Sequence, residues 1–122
     1  YTEVDTLSLH DALPIYLHRQ AGHRVYVFTS VFAPTDLKKS IFHRWKWYNP
    51  QIGKWEVTDD IGFKVTGGRD LGFRGYTHKT NLKEGQWKVE VITEEELILG
   101  VVDFEIKNTS EPPKEGMVKK SF

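Results

Sequence analysis

An all-β sandwich is the fold class the sequence predicts, on three observations. Apolar and polar residues alternate with a period of two along most of the chain, as half-buried strands do. Turn signals interrupt that alternation at intervals of roughly eight to twelve residues, the spacing of a sandwich. No stretch carries a convincing helical period, and no connection has the length that a parallel crossover needs. Together these predict an antiparallel, immunoglobulin-like β-sandwich of about seven strands. It would span residues 23–107, close to the ~100 residues typical of such a domain.

Residues 1–15 stand apart. Residues 6–15 read as the translation of ACT CTT TCC CTA CAC GAC GCT CTT CCG ATC, a run found in a short-read sequencing adapter. The residues before them fit the same reagent around its variable index. The segment is therefore expected to be adapter-derived, and the chain a metagenomic fragment that lacks its true N-terminus. His10, Asp11 and Pro14 then carry no functional meaning. Residues 16–22 are polar without a period and read as a linker.

The first expected strand covers residues 23–32. Val25, Val27, Thr29 and Val31 share one face, and Tyr26 and Phe28 the other. Pro34 ends it, because proline cannot donate to a ladder. Residues 40–48 form the most aromatic run. Ile41, His43, Trp45 and Trp47 lie on one face, and Phe42, Arg44, Lys46 and Tyr48 on the other. The first is the expected core face, since the second holds both cations. Two tryptophans on one side of a strand need a second sheet to bury them.

Asn49-Pro50-Gln51-Ile52-Gly53 turns the chain, with Pro presetting φ and Gly allowing positive φ. Residues 54–58 return as a short strand with Trp55 and Val57, and Asp59-Asp60 is an expected break. Residues 61–65 alternate cleanly, and Gly67-Gly68-Arg69-Asp70 is an expected turn. Residues 72–80 make a polar strand. The last pair is the clearest hairpin. Trp87, Val89 and Val91 share one face of residues 86–93, and Val102, Phe104 and Ile106 point inward from residues 97–106. The connection Glu94-Glu95-Glu96 lacks the Gly or Asn of a tight turn. Residues 108–122 hold Pro112-Pro113 and no period, and read as a disordered tail.

Composition excludes several functions. The chain has 17 basic and 17 acidic residues, so nothing offsets the phosphate charge of a nucleic acid, and no nucleic-acid partner is expected. It has no cysteine, which excludes a disulfide, a thiolate zinc site and a cysteine nucleophile. No apolar run approaches the ~20 residues that span a bilayer. Any membrane attachment would come through missing N-terminal segments.

Three constellations are candidates for function. Trp47, Tyr48 and Trp55 flank the turn at 49–53 and could stack on sugar rings, as a carbohydrate-binding module does; the alternative is that they close one end of the core. Arg74, Lys79 and Arg44, with Tyr76, could form a cationic patch for a carboxylate, a phosphate or an acidic partner strand. The plainer reading is solvated strand faces. His43, on the core face beside Trp45, is either a poised imidazole or a structurally bonded one. Neither His43 nor His18, His23 or His78 has the spacing of a metal site. No nucleophile elbow, phosphate loop or carboxylate pair is present, so no catalytic residue and no cofactor is expected.

One pattern is specific. His43-Arg44-Trp45, Gly68-Arg69, Phe73-Arg74-Gly75-Tyr76-Thr77-His78-Lys79, Gly85-Gln86-Trp87-Lys88-Val89-Glu90-Val91, and Leu99-Gly100 with Phe104 occur in this order. This order resembles bacterial domain-of-unknown-function family 2914 over about residues 23–107. The resemblance implies a small β domain that follows membrane-spanning or other bacterial segments, with no assigned catalytic residues. The expected function is a non-catalytic interaction or accessory domain of a larger, membrane-tethered bacterial protein, in the cell envelope at the inner membrane. Its partner would be a protein or a glycan. The alternative is the carbohydrate-binding module.

Overall fold

The computed structural model describes residues 2–7, 15–31, 40–62, 73–109 and 116–122. Among them nine strands form: β1 (Thr2–Leu7), β2 (Tyr16–Arg19), β3 (Val25–Val31), β4 (Ile41–Asn49), β5 (Lys54–Gly62), β6 (Phe73–Lys79), β7 (Gly85–Thr93), β8 (Ile98–Asn108) and β9 (Gly116–Ser121). They make two sheets, in the orders β1-β9-β3-β6 and β2-β8-β7-β4-β5. The expected all-β sandwich is what the chain forms.

The core is built by the faces that alternation picks out. Val25, Val27 and Val31 on β3 and Val118 on β9 are buried from the first sheet. Trp45, Trp87, Val89, Val102, Phe104 and Ile106 are buried from the second. Trp45 sits at the centre with no exposed surface, edge-on to Trp87 at 6.3 Å and to Phe104 at 6.2 Å. These are the T-shaped geometries that aromatic quadrupoles favour. Tyr26 and Phe28, on the other face of β3, are half-buried.

The turn at 49–53 follows its sequence. The Asn49 side chain accepts from the Gln51 N–H at 3.0 Å, the Gly53 N–H donates to the Asn49 carbonyl, and Gly53 takes φ 66°. The Glu94-Glu95-Glu96 connection manages without glycine by placing Glu96 itself at φ 68°. The Thr93 hydroxyl and carbonyl accept from the N–H groups of Leu97 and Glu96.

Four findings differ from the sequence expectations. First, three pairings are parallel, β1 with β9, β3 with β9 and β2 with β8. No short crossover is needed, because the intervening domain itself serves as the connection. Second, residues 16–19, read as linker, are strand β2, whose Leu17 is fully buried. Third, residues 116–121, read as disordered tail, are strand β9, anchored by Val118 between β1 and β3. Strand β1, which lies within the adapter-like segment, pairs along β9. Fourth, β5 does not break at Asp59-Asp60 but runs on to Gly62, with a bulge opposite Trp45 and Lys46. The expected turn at 67–70 and the end of the first strand at Pro34 lie outside the described residues.

Candidate functional site

The interior holds a polar chain that joins the sheets. His43 is fully buried on β4. Its Nε2 lies 2.7 Å from the Thr29 hydroxyl of β3, and its Nδ1 lies 2.7 Å from the Thr77 hydroxyl of β6. The Trp45 indole N–H donates to the same Thr77 oxygen at 3.0 Å. Hydroxyls both donate and accept, so either neutral tautomer of the imidazole satisfies both contacts. Burial disfavours the imidazolium and pushes the His43 pKa down to about 3. The ring is a neutral structural bridge at physiological pH, with both nitrogens engaged. Among the described residues, no group of three His, Asp or Glu side chains is placed to hold a metal.

On the opposite face of the same strand, Arg44 is held by two carboxylates. Its guanidinium donates to Asp60 at 2.8 and 3.0 Å and to Glu96 at 2.6 and 3.0 Å. Both contacts are bidentate, the fork geometry that suits arginine. These hydrogen bonds raise the Arg44 pKa and hold both carboxyls below their ordinary values. The clamp ties the edge strand β5 and the β7–β8 connection to β4.

Between the edge strands β5 and β6, the sandwich opens into a cleft of about 550 Å3. Its walls include Trp47, Trp87, Glu56, Asp59, Lys79 and Lys83. Lys79 of β6 bonds Asp59 of β5 across the mouth and links the two sheets. Lys83 rests over the Trp47 ring at 4.5 Å. Near the cleft, buried Arg19 donates to the carbonyls of His23, Thr80 and Leu82 and holds the 80–82 loop. Burial lowers its pKa.

Each outer sheet face carries aromatic side chains. On the first sheet, Phe28 and Tyr76 stack at 4.9 Å, Tyr26 and His78 approach to 5.3 Å, and Tyr26 and Tyr76 to 6.3 Å. Tyr76 is 46% exposed, and Arg74 lies on the same face of β6. On the second sheet, Tyr48 meets Trp55 edge-on at 5.3 Å, and Lys88 covers the Trp55 ring at 4.1 Å.

The sequence-predicted sites are therefore divided. Tyr48 and Trp55 share the outer face of the second sheet, whereas Trp47 points inward to the cleft, and its indole N–H donates to the Glu84 carbonyl. Strand parity enforces this, since neighbours on a strand face opposite ways. The cationic patch also comes apart. Arg74 and Tyr76 are on the outer face of the first sheet, Lys79 is turned inward to Asp59, and Arg44 is on the other sheet. The sequence reading did not single out Tyr16, Arg19, Tyr26 or Phe28 as site residues. Only the parity of Tyr26 and Phe28 against the buried valines signalled an outward aromatic face.

A family described as "Protein of unknown function (DUF2914)" matches residues 38–106, more than half of the chain. The chain belongs to the DUF2914 family. The match takes in β4 to β7 and most of β8. Of the motif residues, Gly68 and Arg69 lie outside the described residues. A comparison with curated proteins finds no match. Among solved structures, the DUF2914 chain is similar to the NK cell receptor Nkp44, a triggering partner in natural cytotoxicity. The identity is 15%, the TM-score 0.47, and the alignment covers 80% of this chain and all of that one.

Proposed function

We propose that this domain is a non-catalytic interaction module, an accessory part of a larger, membrane-tethered bacterial protein. It meets a protein partner through the outer face of its first sheet. The observation that carries this reading is the contiguous ring cluster of Tyr26, Phe28, Tyr76 and His78 on that face. Aromatic side chains are enriched at protein interfaces, where they bury large areas at low entropic cost. A grouped aromatic patch on a solvent face is a recognition feature rather than a packing one. The state of His43 supports the non-catalytic part: both its nitrogens bond hydroxyls deep between the sheets, out of a substrate's reach.

The test is a photo-crosslinking amino acid at position 76, in cells that make the whole parent protein. One discrete protein adduct is expected from position 76 and none from position 88, on the other sheet. No adduct at 76, or the same adducts from both positions, would contradict the reading. Sequencing the complete gene tests the tether, which requires a membrane-spanning segment elsewhere in the parent.

A further inference from the structure

The outer face of the second sheet carries a groove of about 320 Å3, with Tyr16 and Trp55 in its walls and Gln86, Asp103 and Glu105 lining it. We propose that this groove binds a neutral oligosaccharide. The site lies on the sheet opposite the proposed protein-docking face and does not depend on it.

Four observations carry the proposal. The groove offers two exposed rings, Tyr16 at 45% and Trp55 at 36%. A pyranose presents a flat C–H face to such rings, and Tyr48 braces Trp55 from the side. Between the rings stand an amide and two carboxylates, groups that bond sugar hydroxyls as donors and acceptors. The tryptophan donors differ as well. The indole N–H groups of Trp45, Trp47 and Trp87 are bonded inside the protein, to Thr77 Oγ1 and to the carbonyls of Glu84 and Lys83. Among the described residues, the Trp55 indole alone has no intramolecular acceptor, so it is free to donate to a ligand. Finally, the charges at the groove cancel. Lys88 lies on Trp55 at 4.1 Å and Lys107 on Tyr16 at 4.5 Å, against Asp103 and Glu105.

That balance selects against polyanions and polycations and leaves a neutral, polyhydroxylated chain as the ligand class. The two ammonium groups are held on the rings by exposed cation–π contacts, which are weak. A sugar ring can displace them, and they can then turn to its hydroxyls. The carbohydrate reading from the sequence thus keeps Tyr48 and Trp55 but exchanges Trp47 for Tyr16.

The experiment is a titration of the 15N-labelled chain with the neutral hexasaccharides cellohexaose, maltohexaose and hexa-N-acetylchitohexaose, followed by NMR. At least one should move the Trp55 indole N–H resonance and leave those of Trp45, Trp47 and Trp87 in place. Trp55→Ala and Tyr16→Ala should each weaken binding about tenfold or more. Tyr76→Ala should leave it unchanged. Melting curves of the variants should match the parent, since both rings are at the surface. The proposal is overturned if none of the three sugars moves the Trp55 resonance up to about 10 mM, weaker than the usual range of specific binding. It is equally overturned if binding survives both ring variants, or if Tyr76→Ala abolishes it.

Discussion

Strand β4 sets two regions of the molecule back to back, and the two handle polar groups in opposite ways. On the inner side, His43 and Trp45 bond to Thr29 and Thr77 with no charge among them. On the outer side, one residue along, Arg44 is charged and gripped by Asp60 and Glu96, and Lys46 pairs with Glu90 at 2.8 Å. The inner groups gain from being neutral and satisfied, because an unpaired or charged group there would carry the full desolvation penalty. The Arg44 contacts gain little from pairing, since Asp60 and Glu96 lie near solvent, where water and salt compete with them, whereas Glu90 is itself buried against Lys46. The interior is thus fixed and structural, and the outer faces can change partners.

Substitutions on the two sides should separate them, and the largest effect belongs to the inner one. Trp45→Ala should destabilise the domain by about 3–5 kcal/mol in urea unfolding, the cost of truncating a central core aromatic. A loss below about 1 kcal/mol is the surface-like result that would break the comparison. Acid should act next. The His43 pKa falls from 6.5 in the unfolded chain to about 3 in the folded one, so the unfolded chain takes up the proton first. The stability that His43 contributes is complete above pH 6.5 and is lost as the pH falls towards 3. The expected slope is about 1.4 kcal/mol per pH unit between pH 6 and 5. His43→Gln should flatten that window.

Thr77→Val leaves the Trp45 indole without its acceptor and should cost about 1–3 kcal/mol. Arg44→Gln, on the outer side, should lower the melting temperature least of all. Its effect should shrink further in concentrated salt, because the Asp60 and Glu96 contacts lie near solvent. An Arg44→Gln loss that is as large as that of Thr77→Val and insensitive to salt would erase the distinction between the two sides.

The same contrast explains what could be read from the sequence. Strands β3, β4, β7 and β8 are legible because most of their inner positions are apolar over several alternations, as with Val25, Val27 and Val31, or Trp87, Val89 and Val91, and the inner polar positions Thr29 and His43 do not break the period. Strand β5 hides its length because two of its inward positions are Glu56 and Asp59, which face the open cleft instead of a closed core. In sequence Asp59-Asp60 reads as a break; here Asp59 meets Lys79 and Asp60 meets Arg44, while Glu56 within the strand meets Asn49. Strands β2 and β9 bury mainly Leu17 and Val118, too few apolar positions to make a period. Their parallel pairing depends on strands far away in sequence. The aromatic triad failed at the scale of one residue. Trp47 and Tyr48 are adjacent, and adjacency on a strand means opposite faces. Tyr16 could not be joined to Trp55 from sequence, because only the order of strands brings β2 and β5 into one sheet.

The most direct measurement is the NMR titration of the His43 imidazole, followed through its ring nitrogen and carbon-bound proton signals from pH 8 to pH 4.5. A ring bonded at both nitrogens between the sheets should remain neutral, with one tautomer and unmoved shifts, for as long as the domain stays folded. A smooth titration near pH 6.5 in the intact fold would place His43 in contact with solvent and contradict the closed, structural interior.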